Sequence, residues 1–219
     1  MRKYLYLAAA ATASAAVVVL PATAALAAGH VLTISKTGGT AVKTGAVLKA
    51  GLAKGKTAVF SLGSETLTCK SGAFSAKVTA NPGKPGKATE SLTSQKFSKC
   101  TVNVSGVTFK SIKANNLPYK VSVSDAKGDP VTVSGSSKSK PISFTATVAA
   151  GTLTVTCTYK ATSVKGSASN TGNTIAFSKQ KFAFASGNAI LCPASANFSA
   201  TFGPVTDSSV SGSPKVFVN

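Results

Sequence analysis

The chain has 219 residues, of which 24 are basic, five are acidic and one is a histidine. Five carboxylates offer few candidates for the acid pair of a glycosidase, and a single histidine offers few for a Ser-His-Asp triad. The sequence has four tyrosines and no tryptophan, so aromatic platforms for stacking on sugars are also scarce. The composition therefore argues against the common hydrolase and sugar-binding classes before any motif is considered.

The first 27 residues have the organisation of a secretory signal peptide. Arg2 and Lys3 form a short basic region, an apolar run from Tyr4 to Leu20 follows, and Ala25-Leu26-Ala27 fits the small-x-small rule for cleavage before Ala28. The apolar run is short for a membrane span, and no later segment is apolar enough to be one. We therefore predict that residues 28–219 form a secreted, extracellular mature region without a membrane span.

The charge of this mature region comes from lysine alone. Removing Arg2 and Lys3 from the 24 basic residues leaves 22 lysines, and 22 less five acids is a net charge of +17. Because an ammonium group cannot make the planar, bidentate contacts that read phosphates and guanine, no specific nucleic-acid recognition is expected. Anionic polymers of the cell envelope are the predicted partners. The alternative is that scattered lysines keep strand faces soluble and block edge pairing.

Apolar residues recur with a period of two from His30 onward. The stretches Ile142 to Val148 and Thr152 to Tyr159 alternate apolar residues with serine and threonine, which is typical of half-buried antiparallel strands. Turn-forming residues separate such stretches, as in Asn81-Pro82-Gly83 and Asn170-Thr171-Gly172-Asn173. The sequence predicts an all-β protein of a dozen or so short strands, folded as an antiparallel sandwich or a barrel-like structure. Six phenylalanines at strand positions are predicted to lie in the core: Phe60, Phe97, Phe144, Phe177, Phe182 and Phe184.

A motif around the cysteines occurs twice. Leu67-Thr68-Cys69 is followed by Gln95-Lys96-Phe97 and Cys100, and Val155-Thr156-Cys157 is followed by Gln180-Lys181-Phe182 and Cys192. A near-constant offset between successive anchors is what a duplication with loop insertions produces. We predict two pseudo-repeated halves, about 37–126 and 127–213, although threonine-rich strands also resemble one another by composition alone.

The four cysteines indicate two disulfides, because an even number is typical of an exported chain. Each disulfide would stabilise the fold by about 2–4 kcal/mol. Of the three possible connectivities, the proposed duplication selects Cys69–Cys100 and Cys157–Cys192. Three of the four cysteines lie in the apolar register of their strands, and Cys192 is predicted to share a strand face with Ile190, so both disulfides are expected at or near the core.

Several segments carry a resemblance to a known group of proteins. They are Asn81-Pro82-Gly83 leading to Gly86-Lys87-Ala88-Thr89, Phe97 to Cys100, Asn116-Leu117-Pro118-Tyr119, Cys157-Thr158-Tyr159, Gly203-Pro204-Val205-Thr206-Asp207 and the ending Val216-Phe217-Val218-Asn219. With these segments the chain resembles secreted actinobacterial β-rich proteins of unknown function. The resemblance covers most of the mature region and implies export and a disulfide-bonded β fold. It implies no activity and no catalytic residues.

His30 is the candidate metal ligand that the sequence favours, since turn chemistry accounts for Asp125 and Asp129 better than a weak calcium site does. After cleavage before Ala28 the mature chain would begin Ala28-Gly29-His30, and a free amine, two amides and an imidazole can together bind Cu(II) or Ni(II) in a square plane. The alternative is an ordinary polar residue near a frayed end. No other cofactor is expected.

We find no catalytic constellation in the sequence and expect a non-enzymatic protein. The first hypothesis is an extracellular binding or structural role that involves anionic cell-envelope polymers. The second is a carrier of a small apolar ligand, which predicts an apolar cleft. The third, an extracellular hydrolase, would need polar catalytic groups that converge in a pocket. The oligomeric state and the binding residues are not predicted.

Overall fold

A computed structural model describes residues 29–219, so the predicted signal peptide, residues 1–27, lies outside the described residues. The described chain is all-β, which confirms the predicted class. Its strands are β1 (Leu32–Ile34), β2 (Thr40–Ala41), β3 (Val47–Gly51), β4 (Ala58–Leu62), β5 (Glu65–Ala80), β6 (Lys87–Val102), β7 (Val107–Asn115), β8 (Tyr119–Ser124), β9 (Pro130–Ser134), β10 (Ile142–Ala150), β11 (Leu153–Ala161), β12 (Ser163–Ser169), β13 (Thr174–Gly187), β14 (Ser195–Phe202), β15 (Thr206–Asp207) and β16 (Val216–Val218).

Eight of these strands close into an antiparallel barrel. Their hydrogen-bonded order is β12-β9-β8-β6-β5-β4-β14-β13, and β13 pairs back with β12, so the ring has no open end. β3 pairs with the later part of β5, on the side where β4 pairs with its beginning. Of the two predicted architectures, a sandwich or a barrel, the structure shows the barrel. The β12–β13 ladder joins what would be the free edges of an open sheet.

A second sheet continues from the barrel along β13. Its order is β13-β11-β10-β7, and the shared strand β13 has 14 residues, long enough to serve both sheets. β6 and β7 follow one another in the chain and contact each other. The hydrogen-bonded strand order nevertheless does not join them in the described part of the chain. The free edge of the second sheet is therefore β7, which lies beside β6.

The two ends of the described chain meet in a third, small sheet of order β16-β1-β2. Asparagines in two hairpin turns of the barrel bind this terminal sheet. Asn81 donates to the Leu32 carbonyl at 2.8 Å and accepts from the Leu32 N–H at 2.9 Å, and Asn170 makes the same two bonds with Val218 at 2.6 and 2.9 Å. The terminal sheet is thus tied to the barrel at two separate turns, both of which were predicted.

The period-two pattern separates the interior from the surface. On β8, Tyr119, Val121 and Val123 are buried, whereas Lys120 is exposed. All six phenylalanines predicted for the core are in it or packed against it. Ladders between β4 and β14 and between β8 and β9 join strands of the two predicted halves in one barrel. Whether those halves arose by duplication stays a prediction.

Both predicted disulfides are present, Cys69–Cys100 and Cys157–Cys192. Cys69 and Cys100 lie directly opposite one another on β5 and β6. The prediction that Cys192 shares a strand face with Ile190 is wrong. Cys192 lies in the loop after β13 and is buried, while Ile190 is 92% exposed.

The loop can reach Cys157 because β13 ends in a glycine. Gly187 lies opposite Cys157 with a φ of +130°, and a Cβ there would come within 2.4 Å of the Thr156 carbonyl oxygen and 3.1 Å of the Cys192 Sγ. A side chain at this position would displace the disulfide, so only glycine fits.

Candidate functional site

The residue predicted as a metal ligand lies at the edge of the terminal sheet. The backbone of His30 forms a bridge with Gly83, and its carbonyl accepts a hydrogen bond from Asn219 Nδ2 at 2.6 Å. The amine of Ala28 that would complete the site lies outside the described residues, so the N-terminal Cu(II) or Ni(II) site stays a prediction. Among residues 29–219 no group of three or more His, Cys, Asp or Glu side chains is placed to hold a metal.

The interior of the barrel contains a cavity of about 100 Å³. All eight barrel strands contribute to its lining, together with residues of the second sheet such as Ala114 and Phe144. We call this space the lumen. Eight phenylalanines line it: Phe60, Phe74, Phe97, Phe144, Phe177, Phe182, Phe198 and Phe202. The lumen is thus an aromatic cavity at the centre of the fold.

Phe60 is the central ring of this lining. Its centroid lies 4.9 Å from that of Phe144, 5.0 Å from that of Phe198 and 5.3 Å from that of Phe97. These are the tilted and edge-on geometries that aromatic rings prefer, in which the positive edge of one ring meets the negative face of another. The contact with Phe144 joins the barrel to the second sheet, so the same packing that holds the two together also shapes the lumen.

One carboxyl group faces this aromatic lining. Glu90 lies on β6 between Ala88 and Leu92, which share its inward face, and its ladder partners are Val78 and Val121. The side chain is only 8% exposed. Burial in these apolar surroundings raises the pKa of the Glu90 carboxyl from an ordinary 4.5 to about 7. Near neutral pH the lumen therefore holds a carboxyl group that changes charge.

The other polar groups of the lining are already bound to the protein. The single proton of the Tyr119 hydroxyl is shared by the carbonyls of Asn115 and Ser143, and the hydroxyl oxygen accepts from the Ser143 N–H at 3.1 Å. Gln95 donates through Nε2 to the Ala73 carbonyl at 3.3 Å. Glu90 is the lining residue whose carboxyl has a strongly shifted pKa with burial as the cause. The Glu90 carboxyl, which lines the lumen, is therefore a candidate polar contact for a ligand.

A second buried polar group lies next to the lumen. Tyr159 is fully buried and stacks on Phe144, with ring centroids 5.3 Å apart. Burial, and after it the charge of Glu65, raises the pKa of Tyr159 to about 12. Its hydroxyl finds no hydrogen-bond partner among the described residues. Tyr159 therefore stays protonated at neutral pH and adds no charge near Glu90.

The remaining acids do not converge with Glu90. Asp125 accepts from the Gly86 N–H at 3.0 Å, and Asp207 accepts from the Ser209 N–H at 2.9 Å, so both stabilise turns. Asp129 lies in the turn between β8 and β9, and Glu65 is exposed at the hairpin between β4 and β5. The described residues thus bring no second carboxyl to the lumen for the paired chemistry of a hydrolase.

Sequence reasoning missed Glu90, although a signal for it was present. In Lys87-Ala88-Thr89-Glu90-Ser91-Leu92 the alternation places Glu90 on the same face as Ala88 and Leu92. An acid in the apolar register of a strand contradicts the pattern, and such contradictions are typical of functional sites.

The outer wall of the barrel has the opposite character. All 22 lysines of the described chain are exposed. On the strands β5, β6 and β8, Ser91 lies directly between Lys77 and Lys120, so the Cα atoms of these two lysines are about 10 Å apart on one face. A groove on this face is lined mainly by serines and threonines, and Glu90, Tyr119 and Val121 also contribute to it. The hydroxyl-bearing residues are Thr79, Thr89, Ser122, Thr132, Ser134 and Ser136. We call this surface the hydroxyl wall.

The fold and the lumen together define a class, the antiparallel β-barrels with an apolar interior that carries an ionisable group. No protein-family profile, curated protein or solved structure matches the chain significantly. The resemblance to secreted actinobacterial proteins therefore stays a prediction. No helix in residues 29–219 is long and apolar enough to cross a membrane.

Proposed function

We propose that the protein is a secreted binding protein that holds a small, mainly apolar ligand in the lumen. The observation that carries this proposal is the aromatic cavity of about 100 Å³ at the centre of the barrel. An apolar cavity of about 150 Å³ is known to stay free of water and to bind benzene. Sites for drug-sized molecules are larger, about 300–1,000 Å³. The proposed ligand is therefore small, with on the order of five non-hydrogen atoms.

Binding of xenon and isopentane tests this proposal, because both are apolar and small. In NMR spectra we expect shifts of signals from lumen residues such as Phe60 and Leu92, and no shifts from the hydroxyl wall. The variant Ala76→Leu fills part of the lumen and should abolish these shifts, since Ala76 lines the cavity. Its matched control is Ala73→Leu on the same strand, because Ala73 is exposed. Unchanged lumen signals in the wild-type protein would contradict the proposal.

A second candidate function is the binding of anionic cell-envelope polymers by the lysine-bearing surface. It is favoured by the exposure of all 22 lysines and by the pair Lys77 and Lys120 on the hydroxyl wall. Lysine contacts with a polyanion release counterions, so retention on a polyanion matrix should fall steeply as salt is raised. A protein that elutes without retention at low salt would rule out this function. The Ala76→Leu variant should be retained like the wild type, which separates this function from the first.

A further inference from the structure

The chemistry of Glu90 restricts what the lumen can hold, provided that the proposed function is correct. A carboxylate that is buried among apolar groups without a partner is costly, and it either takes up a proton or pairs with a cation. The ladder neighbours of Glu90 are Val78 on β5 and Val121 on β8. β9 and β12 contribute Val133 and Val164 to the same lumen. None of these four residues offers a charge to Glu90.

The titratable groups around the lumen do not change this situation. Tyr119 on β8 also lines the lumen, but its hydroxyl is bound to backbone groups of β7 and β10. The lysines on the strands next to Glu90, Lys77 and Lys120, are exposed on the opposite face. A cation that meets the Glu90 carboxylate must therefore come with the ligand.

We propose that the lumen binds a small aliphatic amine in its ammonium form, with the ammonium group on the Glu90 carboxylate and the hydrocarbon part against the phenylalanine rings. The ammonium group donates charge-assisted hydrogen bonds to the carboxylate, which are stronger than bonds between neutral groups. The aromatic lining adds to the attraction, since a cation is also stabilised at the face of a phenylalanine ring.

Other ligand classes of the same size fit less well. A small carboxylic acid would bring a second negative charge towards Glu90, and the two like charges repel in this poorly screened space. A hydrocarbon leaves the carboxyl without a partner and so favours its protonated form. An alcohol can bond with either form of Glu90 but does not neutralise the carboxylate.

The proposal predicts how binding depends on pH. The amine binds the ionised form of Glu90, whose pKa in the ligand-free protein is about 7. Protonation of Glu90 therefore competes with the amine, and the amine itself stays protonated up to a pH of about 10. The affinity should be nearly constant between pH 8 and 9 and should fall about 100-fold between pH 8 and pH 5.

Three probes of nearly equal shape test the proposal: isobutylamine, isobutanol and isopentane. Each is titrated at pH 8 and pH 5 while the signals of the lumen residues are followed by NMR, with ammonium chloride as a control for salt. At pH 8 we expect isobutylamine to bind at least tenfold more tightly than isopentane. We expect this advantage to disappear at pH 5 and in the neutral variant Glu90→Gln.

The Glu90 carboxyl itself provides a second measurement, independent of whether the variant folds. Its pKa, followed by the ¹³C signal of the carboxyl carbon, should fall when isobutylamine binds and should not fall with isopentane. Equal affinities for isobutylamine and isopentane at pH 8, or an unchanged pKa in the amine complex, would overturn the amine proposal and leave the apolar-ligand function standing. If none of the three probes binds at either pH, the proposed function falls as well.

Discussion

The lumen and the hydroxyl wall are opposite faces of the same strands. On β6 the inward residues Ala88, Glu90 and Leu92 alternate with the outward residues Thr89 and Ser91. The wall carries many lysines that remain in water, whereas the lumen carries one carboxyl that water hardly reaches. A charge costs little on the wall and much in the lumen, because the solvation differs and not the side-chain chemistry. Neighbouring positions on one strand therefore place an ionisable residue either in water, where it favours solubility, or in the lumen, where it can contact a ligand.

The largest expected difference between the lumen and the wall is in how much stability is lost when a side chain is removed. Phe60→Ala removes the ring that contacts Phe97, Phe144 and Phe198. We expect the free energy of unfolding to fall by about 3–5 kcal/mol, because a large buried side chain is removed and a cavity is left. Urea denaturation at pH 6 measures the change. On the wall, Lys77→Ala should change the same quantity by less than about 0.5 kcal/mol. A comparable destabilisation in both variants would mean that the lumen is not the core of the barrel.

A smaller effect concerns the protonation of Glu90. Its pKa is about 7 in the folded protein and 4.5 when unperturbed, so the folded state binds the proton more tightly than the unfolded state. The stabilisation from this proton is fully present below pH 4.5, and it is lost as the pH rises through 7. The loss amounts to roughly 3 kcal/mol, since each unit of pKa difference corresponds to about 1.4 kcal/mol.

Urea denaturation at pH 5 and pH 8 measures most of this loss, and Glu90→Gln provides the matched control because glutamine keeps the shape without the charge. The variant should be nearly as stable at pH 8 as at pH 5. Asp129 also has a raised pKa, because of burial and the nearby charge of Asp125. If the variant still loses some stability between pH 5 and pH 8, Asp129 accounts for that remaining loss. A wild-type protein that is more stable at pH 8 than at pH 5 would show that Glu90 is solvated.

The smallest expected effect on stability comes from neutralising the wall. The double variant Lys77→Gln and Lys120→Gln should change the free energy of unfolding by less than about 0.5 kcal/mol, since both side chains are exposed. Its retention on a polyanion matrix should nevertheless depend less on salt. The slope of the logarithm of affinity against the logarithm of salt concentration should become shallower by about 0.9 for each ammonium group that no longer pairs with an anion. The matched control is Lys138→Gln and Lys140→Gln, which removes the same charge from a loop before β10. If the salt dependence of retention changes equally in both double variants, retention depends on the net charge of the protein and not on the hydroxyl wall.

The local pattern of the sequence predicted much of the fold. Period-two alternation identified the strands, and the doubled motif selected the pairing of Cys69 with Cys100 and of Cys157 with Cys192. The closure of the barrel was not predictable, because it depends on which strands become neighbours. The ladder between β4 and β14, for example, joins segments more than a hundred residues apart.

The candidate site was only partly visible in the sequence. The alternation around Glu90 shows which face of β6 its side chain lies on, but not the nature of the surfaces it faces, and those surfaces come from nine other strands. Cys192 shows a related difficulty, because a turn at Asn188 and Ala189 ends the strand register before the cysteine is reached. Periodicity is informative only while the strand continues.

The pairing of the two chain ends has a mechanical consequence. β1 and β16 run antiparallel with Leu32 opposite Val218, so both ends of the described chain leave the terminal sheet at the same side. We expect a force that pulls these ends apart to open the ladder one residue pair at a time, like a zipper, instead of shearing all pairs together. The terminal sheet would then yield at low force and lengthen the chain while the barrel and its lumen remained intact.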